Sequence, residues 1–476
     1  MSKKLNRSTA RKPQTLPIKI LQFGEGNFLR AFADWMVDIL NEKTSFQGAV
    51  QVVQPIAQGM GQKLNDQEGL YHLILNGIQQ GKSLREIRLI SCIAGAINPF
   101  EDYGAYLKAA ENRDLAFVFS NTTEAGIIFD PKDNDANVLA DSFPGKLTAM
   151  LFHRYKFFQG DKDKALTIMP CELIEKNGET LRNAILQYAS HWNLEEGFKN
   201  WITNHTLFCN TLVDRIVPGF PRDTVHEVWE ETGFEDNLVV TAEPFHLWVI
   251  EPVPIPGHSL ETLRKALPFE KAGLQVKFVQ DLTPYRTRKV RILNGAHTAM
   301  VPVGYLRGLR SVRDAIDDSF TGDFIRTTLE EEIIPTLDLS KDELRQFASD
   351  VIERFQNPFI KHELISISLN SISKYQVRVL PSVMEYIRRT GNLPDRLLYS
   401  LAALILFYKG EWKDSPIPLN DTPAVLEFFK KAWSRNDPRE VVEAVLSRQE
   451  FWNTDLTRID GLSRAVEKHM KEISGV

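Results

Sequence analysis

The sequence predicts an α/β N-terminal domain built on a mostly parallel sheet, followed by a mainly α-helical C-terminal domain. Three observations carry this. Short apolar runs alternate with helical patterns over the first half of the chain, as in a parallel sheet covered on both faces. A glycine pair, Gly24-Glu25-Gly26, separates the first of those runs from an amphipathic stretch. Beyond about Asp281, apolar residues recur at helical spacing almost to the end.

Taken in order, Ile18 to Phe23 reads as a strand after Pro17, and Ala31 to Leu40 as the helix that follows the glycine turn. Ala49 to Val53 reads as a second strand ending at Gln54-Pro55, with Ile87 to Ile93 and Leu115 to Ser120 as further strands and Tyr103 to Glu111 as a helix between them. Ala165 to Met169 and Leu247 to Ile250 can extend the sheet. Val290 to Val301, Phe347 to Phe355 and Val425 to Trp433 read as helices, and in the second Phe347, Val351 and Phe355 fall four apart on one face. The expected division is a dinucleotide-binding Rossmann-type domain over 1–282 and a helical substrate and catalytic domain over 283–476.

Bulk properties narrow the function. The 476 residues exceed one ordinary core, and 43% hydrophobic with 25% charged residues is a globular composition. A net charge of −5 offers no concentrated basic face for nucleic acid. Cys92, Cys171 and Cys209 lie far apart and form neither a metal motif nor a disulfide framework, which fits a reducing cytoplasm. The basic, polar first dozen residues are followed by no apolar signal segment, and the apolar run Leu397 to Tyr408 is too short to span a bilayer and reads as a buried core helix. No His, Cys and carboxylate cluster has metal-ligand spacing. Oligomeric state is not legible.

The strand, glycine turn and helix in succession form the setting in which backbone N–H groups receive a pyrophosphate. Leu29 stands where a third glycine would be, so the pair fits equally a tight turn with no ligand. The residues expected to line a cofactor are Phe23, Gly24, Gly26, Asn27 and Phe28. Gln54 joins them at the end of the second strand, where an acid would bind the ribose of NAD; a glutamine leaves NAD and NADP both open. Ser120-Asn121-Thr122-Thr123-Glu124 suits a nicotinamide-side loop through Asn121 and Thr122, and fits better still an ordinary helix N-cap.

Thr283-Pro284 is a helix start, and the helix carries Lys289, Asn294 and His297. Oxidising an alcohol needs a base for the hydroxyl proton and donors for the developing alkoxide, roles that a lysine and an asparagine fill. Asn294 and His297 share a face at a spacing of three, and the long Lys289 side chain can bend toward it. Asn-Gly-Ala-His is poor helix sequence in mid-helix, a conflict expected at functional sites. Spacing alone fits still better a basic, solvated helix with one core-facing histidine.

These pieces resemble the polyol-specific long-chain dehydrogenases, which include mannitol dehydrogenases and hexuronate reductases. The resemblance covers nearly the whole chain. Its most specific element is Lys289-x4-Asn294-x2-His297. Other pieces stand in the same order: Gly24-x-Gly26-x-Phe28, Gln67-Glu68-Gly69-Leu70-Tyr71, Thr123-Glu124-x-Gly126, Asn177-Gly178, Asn210-Thr211-x-Val213-Asp214-Arg215-Ile216, and Glu243-Pro244-Phe245-x-x-Trp248-Val249-Ile250. The resemblance implies Lys289 as general acid/base, Asn177 and Asn294 as oxyanion donors, His297 as the orienting group, Glu124 at the mouth of the site, an NAD cofactor and no metal. Cys171-Glu172-Leu173 departs from the family's Cys-Asp-Asn, which puts contacts from that segment in doubt.

Within the family, Leu21 to Arg30, Ser120 to Gly126 and Asn357 to Pro381 look most like the hexuronate reductases, so the implied substrate is a keturonate. Its carboxylate calls for a cation, and Lys374 and Arg378, four apart, are the candidates, although surface charges on a helix fit equally. A mannitol-type polyol substrate, or an NAD(H) sensor without turnover, are the competing readings; the intact Lys289, Asn294 and His297 argue against the sensor.

Overall fold

A computed structural model describes residues 2–12, 16–123, 126–435 and 437–475. The chain forms two compact units, one of Met1–Asn76 with Ser83–Leu282, the other of Gly77–Lys82 with Thr283–Val476.

The first unit is organised by an eight-stranded sheet. Its strands are β1 Ile18–Phe23, β2 Ala49–Val53, β3 Ile93–Ile97, β4 Phe117–Ser120, β5 Thr167–Pro170, β6 Leu207–Asp214, β7 Leu247–Pro252 and β8 Val276–Phe278. The spatial order is β3-β2-β1-β4-β5-β6-β7-β8, with β6 and β7 antiparallel and every other neighbouring pair parallel. The first six strands therefore follow the Rossmann order, with its switch point between β1 and β4. Register makes the strand ends level: Phe23 lies between Val53 and Ser120, and Ser120 lies opposite Pro170. Gly24, Gln54, Asn121 and Cys171 thus begin four loops along one edge.

Both faces of the sheet are covered, which is why the strands read as apolar runs rather than alternations. Ile20, Val50, Val52, Phe117 and Phe119 pack on one face with Trp35, Met36 and Ile39 of helix α2 (Ala33–Lys43). Leu21, Phe23, Val53, Val118 and Ile168 pack on the other with helix α3 (Phe143–Phe157) and helix α4 (Asn177–His191). Gly178 on α4 has no room for a side chain because the Cys209 carbonyl of β6 lies against it.

Three departures from the sequence reading have local causes. The run Ile87 to Ile93 is not one strand: Lys82–Ile90 belongs to a ribbon with Tyr71–Gln79, and β3 starts only at Ile93. Between them the Ser91 N–H and hydroxyl turn to Asp38, at 3.0 and 3.2 Å. The helix after the glycine turn begins earlier, as α1 (Asn27–Ala31), and breaks at Phe32 before α2. There the carbonyls of Arg30 and Ala31 accept the Tyr71 hydroxyl and the Arg215 guanidinium, both at 2.7 Å. β6 escaped notice because Asn210, Thr211 and Asp214 interrupt its apolar pattern, yet all eight of its residues are buried.

The second unit is helical. Helix α9 (Asp395–Phe407) is buried along nearly its whole length and packs against α6 (Gly295–Leu306) and α10 (Leu462–Ser474). The Ser400 hydroxyl in α9 donates to the Ala299 carbonyl of α6 at 2.9 Å. Among the described residues no helix is long and apolar enough to cross a membrane.

Candidate active site

Gly24 has φ +122°, and a Cβ there would stand 3.1 Å from the Asn121 carbonyl and 3.2 Å from Leu29 Cδ1. Only glycine fits. Gly26 is exposed, with nothing within 4 Å of where its Cβ would be, and no side chain caps the helix it opens. Open space in front of uncapped N–H groups suits a pyrophosphate. The turn is braced from behind by Arg30, whose guanidinium donates to the carbonyls of Glu25 (3.1 Å) and Leu238 and to Asn27 Oδ1 (2.8 Å). Phe28 stacks on Phe32 with ring centres 5.0 Å apart.

Two of the residues expected to line a cofactor turn their side chains inward. The Phe23 side chain is buried in the core against Phe143 and offers a ligand only its backbone. The Gln54 side chain folds back on its own loop: its Nε2 donates to the carbonyls of Ile56 (2.9 Å) and Ala57 (3.0 Å), and its Oε1 accepts the Gly61 N–H at 3.1 Å. The amide is spent on shaping its own loop.

On the other side of the switch point, Asn121 Nδ2 donates to the Cys171 carbonyl at 2.8 Å. The Glu172 carboxylate accepts the Thr122 N–H (2.9 Å), the Thr122 hydroxyl (3.1 Å) and the Ser120 hydroxyl (3.0 Å). Burial pushes the Glu172 carboxyl above the usual carboxylate range. The residue that departs from the family's pattern therefore ties together the two loops that follow β4 and β5. Its signal in the sequence was only that departure. Glu124 lies outside the described residues.

Asn177 opens α4. It is fully buried, and its Nδ2 donates to the carbonyls of Pro170 and Glu172, both at 3.0 Å, while its Oδ1 accepts the N–H groups of Gly178 (2.9 Å) and Thr211 (2.8 Å). No amide proton remains for a substrate oxygen. The side chain pins the start of α4 to β5 and β6.

In the second unit, helix α5 (Thr283–Arg288) passes into a π-helical turn over Lys289–Asn294 before α6 begins at Gly295. The π turn resolves the conflict noted in the sequence. In an α-helix, residues five apart point about 140° from one another; a π turn closes its hydrogen bonds between residues five apart and draws them toward one face. Lys289 and Asn294 are five apart, and His297 follows Asn294 by one α-turn. The Asn294 side-chain amide makes no hydrogen bond among the described residues, and the backbone carbonyl of Asn294 accepts the Thr298 hydroxyl at 2.8 Å.

His297 lies flat on Phe355, the last residue of helix α7 (Lys341–Phe355), with ring centres 4.1 Å apart and planes 13° apart; His362 stands perpendicular at 5.1 Å. Its Nε2 is buried with no hydrogen-bond partner. Burial, then the proximity of His362, Arg354 and Arg378, holds the imidazole well below its ordinary pKa. Arg378 ends helix α8 (Ser371–Arg378), and its carbonyl lies 3.1 Å from where a Cβ on Gly295 would be. Its guanidinium makes no hydrogen bond among the described residues, and burial lowers its pKa. Lys374 is more committed: its Nζ donates to the Ile367 carbonyl at 2.9 Å. Sequence reasoning missed Arg354 and His362, which come from other helices and loops and share no motif with His297. Among the described residues no group of three or more His, Cys, Asp or Glu could hold a metal ion.

The model of the mannitol dehydrogenase Rossmann domain matches residues 18–262, and that of the mannitol dehydrogenase C-terminal domain matches residues 281–474. The altronate oxidoreductase of Bacillus subtilis (strain 168) is 48% identical over 472 residues, covering 99% of this chain and 95% of its own length. That of Phocaeicola vulgatus is 46% identical, covering 99% and 97%. Among solved structures, substrate-free D-sorbitol dehydrogenase matches with a TM-score of 0.82 at 24% identity, covering 99% of this chain and 98% of its own. Pseudomonas fluorescens mannitol 2-dehydrogenase, a ternary complex with NAD and D-mannitol, matches with a TM-score of 0.66 at 23% identity, covering 99% and 96%.

Proposed function

The chain belongs to the mannitol dehydrogenase family, and we propose that it is the member that interconverts D-tagaturonate and D-altronate with NAD as cofactor, a step of hexuronate (galacturonate) breakdown in the cytoplasm. It is an oxidoreductase acting on CH-OH groups. The first unit takes the dinucleotide at Gly24 and Gly26, and the second supplies substrate recognition and proton transfer. The observation that carries the keturonate reading is the pair of arginines, Arg354 and Arg378, beside His297 and next to the π turn. A polyol has no negative charge for such a group to meet; a hexuronate has one carboxylate.

The bound nicotinamide supplies or accepts the hydride. Lys289 gives a proton to the substrate oxygen in reduction and takes it back in oxidation. Asn294, with a free amide, donates to that oxygen as charge builds on it. The neutral His297 offers a ring nitrogen to a substrate hydroxyl and adds no charge of its own. Arg378 receives the carboxylate through its planar fork, with Lys374 behind it. Three unpaired, buried cysteines accord with a reducing compartment.

The test is loss of NADH or NADPH absorbance with tagaturonate, fructuronate, fructose and fructose 6-phosphate. Tagaturonate with NADH should give the highest kcat/KM. Preference for fructuronate or fructose would place the chain among the fructuronate reductases or the mannitol-type dehydrogenases. Cofactor binding without turnover on any of the four would make it a sensor.

A further inference from the structure

In a Rossmann domain the ribose hydroxyls of NAD are met by an acid at the end of β2, and that acid also repels the 2′-phosphate of NADP. Here β2 is followed by Gln54, whose amide is engaged in its own loop. The same loop holds a carboxylate that comes from elsewhere. Glu25, between the two glycines of the first turn, accepts the Met60 N–H on Oε1 at 3.1 Å. Gly59 lies so close to Glu25 Oε1 and to Gln54 that neither would tolerate a Cβ there. Glu25 is 6% exposed, and its second oxygen, Oε2, is buried with no hydrogen-bond partner. A buried carboxylate oxygen without a donor is costly, and ligand hydroxyls are the donors that would complete it.

We propose that Glu25 is the residue that recognises the adenosine ribose of the cofactor, doing from the glycine turn what an acid at the end of β2 does in other Rossmann domains, and so sets the preference for NAD over NADP. It would receive the 2′- and 3′-hydroxyls on a carboxylate placed beside the pyrophosphate-binding backbone. A 2′-phosphate brought there would meet like charge, and Gln54, turned inward, offers it no compensating donor. Burial raises the Glu25 pKa in the free protein, with the Met60 N–H and the Arg30 guanidinium opposing that rise. Hydroxyl donors would also oppose that rise by completing the carboxylate's hydrogen bonds.

This inference rests on the reading of the first unit as a dinucleotide site, and the experiment separates the two. Dissociation constants for NADH and NADPH are measured by calorimetry, without substrate, on the wild type and on the variants Glu25→Gln, Glu25→Asp and Gln54→Ala. The wild type should bind NADH at least about a hundredfold more tightly than NADPH. Glu25→Gln removes the charge-assisted contacts; it should weaken NADH roughly tenfold or more, tighten NADPH, and collapse the ratio by more than about tenfold. Glu25→Asp keeps the charge and withdraws it, so NADH weakens while NADPH stays excluded; this holds even if Glu25→Gln does not fold. Gln54→Ala should weaken both cofactors alike. A ratio unchanged within about twofold in both Glu25 variants would overturn the assignment. Failure of the wild type to bind either cofactor would instead overturn the dinucleotide reading itself.

Discussion

Replacing Arg378 with leucine separates recognition of the substrate's carboxylate from the chemistry at its carbonyl. A hydrogen bond to a charged group is worth about 1.5–3 kcal/mol, and a guanidinium can present two to one carboxylate. Arg378 is half-buried, so screening argues for the lower end of that range, about 3 kcal/mol for the pair. At about 1.4 kcal/mol per factor of ten, KM for tagaturonate should rise about a hundredfold. Fructose has no carboxylate, so its KM should change by less than about threefold by the same conversion. Arg378→Lys keeps the charge and loses the fork; about a tenfold rise in KM is expected. The assay is loss of NADH absorbance at saturating cofactor, with both ketoses measured on each variant. kcat should hold for tagaturonate, because the contact is made equally in ground and transition states. Equal losses on both substrates, or a fall in kcat with KM unchanged, would refute the reasoning.

Lys289→Met should lower kcat by about 10²–10⁴-fold near neutral pH while the calorimetric NADH affinity survives; an active variant would remove the lysine from proton transfer. Asn177→Ala should act on stability rather than on turnover. It leaves the Thr211 N–H without its acceptor in a buried place, at about 1–3 kcal/mol, while the Pro170 and Glu172 carbonyls keep the Thr211 hydroxyl and the Ile174 N–H. A fall in melting temperature with kcat nearly intact is expected, whereas a loss of kcat without a change in melting would restore Asn177 as an oxyanion donor. His246 should govern part of the acid sensitivity. Burial, followed by the Arg215 guanidinium, pushes its pKa down to about 3 from 6.5. Between those values the unfolded chain binds a proton that the folded chain refuses, so stability falls as pH falls from about 6.5 toward 3, by at most about 1.4 kcal/mol per pH unit. Urea midpoints measured across that window should flatten in His246→Phe; an unchanged slope would clear His246 of the effect.

Much of the scaffold was legible because its cause is local. β1, β2 and α9 are readable from apolar runs of the right length, and the glycine turn from its place between a strand and a helix. Several family-like segments are scaffold as well. Gly69 admits no Cβ because the Ile93 carbonyl lies against it, and Arg215 joins the Glu243 carbonyl to that of Ala31. Lys289, Asn294 and His297 were legible as residue types and spacing. What their spacing did not contain was the π turn, since no rule of periodicity says where an α-helix will take in an extra residue.

The tertiary structure decided the rest, in each case through the commitment of a hydrogen bond. In the sequence, Gln54, Asn177 and Glu25 are three polar residues near glycines, and position made the first two the natural candidates for ribose and oxyanion. Once folded, the first two have every amide group taken by neighbouring backbone, whereas Glu25 keeps one carboxylate oxygen without a partner. Likewise, Arg354, His362 and Arg378 are scattered over some 25 positions and only packing gathers them around His297. By itself the sequence determined which strands and helices form and which chemistry their residues allow, because propensity and hydrophobic period act over a few neighbouring residues. Only the fold determined which of those polar groups remain open to a ligand, because a buried donor or acceptor is claimed by whatever the chain brings beside it from far away.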